Sequence, residues 1–161
     1  MKNIDHIIYT HYFYRAINYN PQVNLNCDVP EYHPNTQYFK SEQGISYLKT
    51  DGFIGGIARF KQGNERLAEM HQQHRINKGG YFLECYDGKL TKLYEKQGFT
   101  VVGRIKFNPE FAKEGWDKDE DLRKQPDIVF MSLYPIVPIE ANYETVYSYA
   151  RFSKNLYTEQ G

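Results

Sequence analysis

The chain has 161 residues, enough for one domain with a real core, and its 20 basic and 20 acidic side chains cancel. A neutral chain has no overall field drawing it to nucleic acid or an anionic membrane, and neither is expected as a partner. The apolar run "YPIVPI" falls far short of the roughly 20 residues of a membrane helix, and charge and histidine interrupt "MKNIDHIIYTHYFYRAIN" where a signal peptide is apolar, so a soluble, cytoplasmic protein is expected.

The N-terminal "IDHIIYTHYFYRAINYNPQ" reads as a strand at Ile4 to Tyr9 continuing as a helix through Asn18, although aromatic and β-branched residues leave its period ambiguous. Prolines then gather in 21 to 34 and again in 126 to 138, flanking a proline-poor middle. In "TQYFKSEQGISYLKTDGFIGGIARF" the turn signals Glu42-Gln43-Gly44 and Thr50-Asp51-Gly52 separate three strand-like runs, which predicts an antiparallel meander.

From Asn64 the period changes. "NERLAEMHQQHRINKGG" places Leu67, Met70, His71 and His74 at helical spacing, with Asn64 as N-cap and glycine as the stop. "GYFLECYD" is a short apolar strand, "GKLTKLYEKQG" a helix with Leu90, Leu93 and Tyr94 on one face and Gly98 as its end, and "FTVVGRIKF" another strand. A polar loop follows, in which Trp116 reads as an anchor and "KDEDLRK" as a solvated charge run. "PDIVFMSLY" is the last strand, and Tyr143, Val146, Tyr147 and Ala150 predict a terminal helix over about 140–157.

Strands and helices in that order predict an α+β (α/β) fold, one domain over 1–161. Its core spans about 37–133, residues 1–36 form an N-terminal extension, and a C-terminal helix is added. Cys27 and Cys85 belong to no closely spaced pair and read as free thiols. His71 and His74, three apart on a helix, could offer two imidazoles to a metal, but spacing places no third ligand near them, so no metal site is expected.

A meander leading into a helix, then a strand, a helix ending "LYEKQGF" and a further strand, resembles the GNAT superfamily of N-acetyltransferases. With "GGYFLECYDGKLTKLYEKQGF", "FNPEFAKEGWD" and "QPDIVFM" in order, residues 44 to 133 are similar to an acetyltransferase-like subgroup often encoded by phages and prophages. The resemblance implies a mixed, mostly antiparallel central sheet flanked by helices. It also implies transfer of an acyl group from acetyl-CoA, as cofactor, to an amine on a small molecule or protein.

In the family, the tyrosine matching Tyr94 lies beside the thioester sulfur and protonates the departing thiolate. Glu84 is the candidate for the carboxylate that accepts the amine proton; Asp87 is the competing candidate, with an N-cap reading of its own. The family's cofactor lies between the strands at 53 to 60 and 80 to 86. Cofactor contacts fall on Ile57, Ala58 and Phe60 for the pantetheine arm and on Lys61, Gln62, Gly63 and Asn64 for the pyrophosphate. The family's loop has two small residues after its Arg or Gln; here "RFKQGNE" has Gly63 alone, one position off the spacing from Arg59.

A second reading is a catalytically inactive member of the same fold that binds protein, with a host protein as partner if the gene is phage-borne. The terminal helix is in either case expected to pack on a second copy of the chain, giving a homo-oligomer.

Overall fold

A computed structural model describes residues 1–160. Among these residues six α-helices and two four-stranded sheets make a mixed α+β chain with two compact units, Met1–Gly80 and Tyr81–Gly161.

In the first unit, β1 (Lys2–Ile4), β2 (Gln37–Lys40), β3 (Gly44–Leu48) and β4 (Ile54–Arg59) form an antiparallel sheet in that spatial order. The three strands of the expected meander are β2 to β4. The N-terminal expectation is corrected: the strand ends at Ile4 and helix α1 (His6–Tyr19) already includes Tyr9. Its Tyr9, Phe13 and Ala16, at helical spacing, are all buried. A single turn, α2 (Val23–Asn26), follows.

Every residue of β3 is buried, so both faces of the sheet are covered. One face carries Tyr38 and Tyr47, whose rings meet Tyr9 of α1 at 5.4 and 6.0 Å. The other carries Phe39 and Ser46, which meet His74 and His71 of α3 (Leu67–Asn77). Helix α3 begins three residues later than its expected cap, with Arg66 and not Asn64 at the N-cap. The intervening chain is held extended by hydrogen bonds described below.

The second sheet has the spatial order β5-β7-β6-β8, from β5 (Phe82–Tyr86), β6 (Thr100–Ile105), β7 (Ile128–Ser132) and β8 (Ile139–Glu140). The late strand β7 inserts between β5 and β6, antiparallel to both, and β8, not foreseen in the sequence, adds in parallel beside β6. Helix α4 (Lys89–Lys96) buries Thr91 and Tyr94, while Leu90 is exposed, so its inner face is rotated from the expected one. It ends on Gly98, whose φ of 99° lies in the left-handed region where glycine is favoured.

Residues 109–124 form a loop that holds three single 3-10 turns, with Trp116 against Phe107 at 5.2 Å. The terminal segment is two helices, α5 (Tyr143–Arg151) and α6 (Ser153–Gln160), broken at Phe152. Val146 and Ala150 are buried on this unit's own sheet, where Gly103 leaves room for Val146, and Ser153 bonds Ser132 at 2.7 Å. Phe152 and Tyr157 are the apolar side chains that remain exposed beyond the break.

No helix among the described residues is long and apolar enough to cross a membrane.

Candidate functional site

The edge strand β4 and the loop after it carry all the residues expected to meet a cofactor. Across from Ser46 of β3, β4 has two residues, Gly56 and Ile57, because the register runs from Tyr47↔Gly55 to Ile45↔Ala58. This bulge places Gly56 at φ 64°, a conformation glycine reaches without strain. Tyr9, with no exposed surface, donates its hydroxyl to the Gly56 carbonyl at 2.8 Å and locks the bulge from the α1 side. From the α3 side Arg75, also fully buried, donates to the carbonyls of Gly55 (2.8 Å) and Tyr47 (3.2 Å). The strand's kink is therefore held from both faces.

Beyond Arg59 the chain opens into an exposed loop, Lys61 to Asn64. Its floor is the side chain of Gln43. Gln43 Oε1 accepts from the Glu65 N–H at 2.8 Å and from Arg59 Nη1 at 3.1 Å. Arg59 also donates to the carbonyls of Gly63 and Glu65 at 3.2 and 2.6 Å. A Cβ on Gly63 would overlap the Gln43 amide, so this position is glycine for space and not for backbone freedom.

Glu65 closes the loop from the other end. Its carboxylate accepts from Ser41 Oγ (2.8 Å) and from the N–H groups of Gln43 (2.6 Å) and Glu42 (3.3 Å). Partial burial would raise its pKa, but these donors outweigh burial and hold it below the usual carboxylate range. Ser41 continues to His71 Nε2 at 2.9 Å, and His71 Nδ1 bonds Ser46 at 2.5 Å. Burial, then the Arg75 charge, pushes the His71 pKa from 6.5 to about 3, so the ring is neutral at neutral pH. Both its nitrogens are taken by serine hydroxyls, and among the described residues no three His, Cys, Asp or Glu side chains gather as metal ligands.

Among the described residues none of the N–H groups of Lys61, Gln62, Gly63 or Asn64 donates to a protein acceptor. These four residues lead toward the N-terminus of α3, whose dipole favours an anion. Phe60 differs from the other expected contacts. Its N–H is spent on the Gln43 carbonyl at 2.9 Å, and its ring is buried against Tyr12 at 4.6 Å. Ile57 and Ala58 lie in and after the bulge.

In the second unit Tyr94 is buried on α4, its ring edge-on to Phe99 at 6.3 Å. Glu84, on β5 opposite Phe130, is half-buried, and its Oε1 accepts the Tyr143 hydroxyl at 2.7 Å. Asp87 caps α4 indirectly, accepting Thr91 Oγ1 at 2.9 Å while Thr91 accepts the Gly88 N–H at 3.1 Å. Its other oxygen meets Arg104 Nη1 at 2.7 Å, and that hydrogen bond holds the Asp87 carboxyl below its ordinary range. Asp87 is thus a structural carboxylate, while Glu84 carries one tyrosine donor. Burial pushes the neighbouring Cys85 thiol up to about 12, which keeps it protonated and unreactive.

Sequence reasoning missed Gln43, Glu65, Tyr9 and Arg75, which shape the loop and bulge. The available signal was a Gln in a turn opposite a lone glycine, and a tyrosine on the buried stripe of α1.

No protein-family model matches the chain, and no curated protein matches it.

Proposed function

We propose that the chain is an acetyltransferase-like domain of the GNAT type that binds acetyl-CoA on β4 and the loop Lys61–Asn64. The observation that carries this reading is the set of four N–H groups without a protein acceptor, on exposed residues after a bulged edge strand and ahead of a helix N-terminus. Such donors suit a pyrophosphate. The order of elements supports it as well: a meander, a helix, and a later sheet in which the last long strand inserts between its two predecessors.

In the transfer the amine attacks the thioester carbonyl, a C–N bond forms and the C–S bond breaks. The resemblance gives Tyr94 the proton for the leaving thiolate and Glu84, directly or through water, the proton from the amine. Isothermal titration with acetyl-CoA tests the reading, with micromolar affinity expected. No binding up to millimolar concentration overturns it.

One observation favours the non-catalytic alternative. Gln43 already fills the base of the loop, and Ile7 and Tyr14 of α1 stand exposed seven residues apart on one helix face. A protein that fails to bind acetyl-CoA while its loop is intact would belong to that class, with α1 as the surface to test by substitution.

A further inference from the structure

The register of the first sheet sets Lys2 of β1 directly opposite Lys40 of β2. Opposed residues of an antiparallel pair project on the same face with Cβ atoms about 5 Å apart, and like charges there repel. Arg15 of α1 joins them. Its guanidinium carbon stands 5.3 Å from the centroids of both Tyr12 and Phe60, while Lys40 Nζ stands 4.9 and 5.3 Å from the same two rings.

The aromatic faces orient the two cations but carry no net charge to neutralise them. Lys40 makes one hydrogen bond, to the Ser41 carbonyl at 3.2 Å. Among the described residues no carboxylate forms an ion pair with Lys2, Arg15 or Lys40. Arg15 and Lys40, from two elements, converge over one aromatic pair, and Lys2 faces Lys40 across the strand register, so three cations gather with no anion between them.

We infer that Lys2, Arg15 and Lys40 form a binding site for a phosphate group. Arg15 offers a planar fork to two phosphate oxygens, Lys40 and Lys2 supply point charges, and the Tyr12–Phe60 pair sets the depth. Phe60 immediately precedes the Lys61–Asn64 loop, so the phosphate group can come from either of two sources: a free inorganic anion, or a phosphate of the cofactor bound to that loop. The site stands on its own residues and does not require the acetyl-CoA reading.

The test is calorimetric titration of inorganic pyrophosphate at low salt. The wild-type protein is expected to bind, and the double variant Arg15→Gln/Lys40→Gln to lose at least about tenfold in affinity, the scale of one charge-assisted contact. A control of equal charge change, Lys92→Gln/Lys154→Gln, should bind as the wild type does. In the absence of ligand, Lys2→Gln should raise the melting temperature at low salt and leave it unchanged at high salt, where repulsion is screened. Failure of the wild type to bind pyrophosphate at millimolar concentration, full affinity in the double variant, or equal loss in the control overturns the proposal.

A second arm compares CoA with 3′-dephospho-CoA. A preference for CoA that disappears in the double variant identifies the cofactor as the source. Binding of pyrophosphate by these residues without binding of acetyl-CoA identifies a free anion, keeps the site, and removes the acetyltransferase reading alone.

Discussion

The side-chain amide of Gln43 occupies the space in which a Cβ on Gly63 would lie. Through that one contact the β2–β3 turn fixes the loop ahead of α3. Gly63→Ala should push the amide out and break its bonds to Arg59 and Glu65, at a cost of about 1–3 kcal/mol from the polar groups left behind. Chemical denaturation reads the cost. Hydrogen exchange at the Glu65 amide reads the mechanism, because that N–H loses its acceptor; unchanged protection would show that Gln43 does not hold the loop.

Tyr9→Phe strips the Gly56 carbonyl of its hydroxyl donor at a fully buried site, and about 1–3 kcal/mol of stability should go with it. The pH dependence has a definite sign. Burial raises the Tyr9 pKa well above its ordinary 10.0, so its contribution is complete below pH 10 and is lost as the pH climbs beyond it. Stability curves measured up to pH 11 should therefore fall less steeply for Tyr9→Phe than for the wild type. Parallel curves would mean that this phenol does not titrate with unfolding.

At the acid end His71 acts. A histidine held at about 3 when folded and near 6.5 when unfolded contributes stability that is complete above pH 6.5 and lost as the pH falls toward 3. The lowered Glu65 pKa works in the same direction, since its bound carboxylate must be protonated in acid. Unfolding free energy should decline from pH 6.5 to 4, and the decline should be shallower in His71→Gln. A flat wild-type profile over that range would contradict a buried neutral imidazole.

Arg75→Lys is expected to behave as a severe substitution despite keeping the charge. Arg75 bonds four acceptors, the carbonyls of Tyr47, Gly55 and His71 and the Gln72 amide oxygen, from a planar group that lysine does not reproduce. A loss above about 2 kcal/mol in denaturant unfolding is expected from the carbonyls left unpaired in the core.

For the proposed chemistry, Tyr94→Phe should lower acetyl transfer by about 10²-fold while leaving acetyl-CoA affinity unchanged, the pattern of a lost general acid. Equal turnover in the two proteins would return Tyr94 to a packing role beside Phe99.

Much of the fold was legible because its signals are local. The turns at Glu42-Gln43-Gly44 and Thr50-Asp51-Gly52, the glycine stop at Gly98 and the alternation of strand and helix all act within a few residues of where they are written. The start of α3 was misplaced for a non-local reason: Glu65 accepts from a turn 22 and 23 residues earlier, which holds the chain extended past Asn64. The same holds for the inner face of α4, where the packing of Thr91 and Tyr94 overrode the apolar choice of Leu90.

By itself, then, the sequence determined the kinds and order of the elements from β2 to β7 and the lone glycine of the loop, because periodicity and turn chemistry are short-range. Tertiary structure alone decided that Gln43 fills that loop, that Tyr9 and Arg75 hold the bulge, and that Lys2, Lys40 and Arg15 share one face. Those relationships join residues 13 to 47 positions apart, and no local pattern encodes which distant side chain will arrive beside a given backbone group.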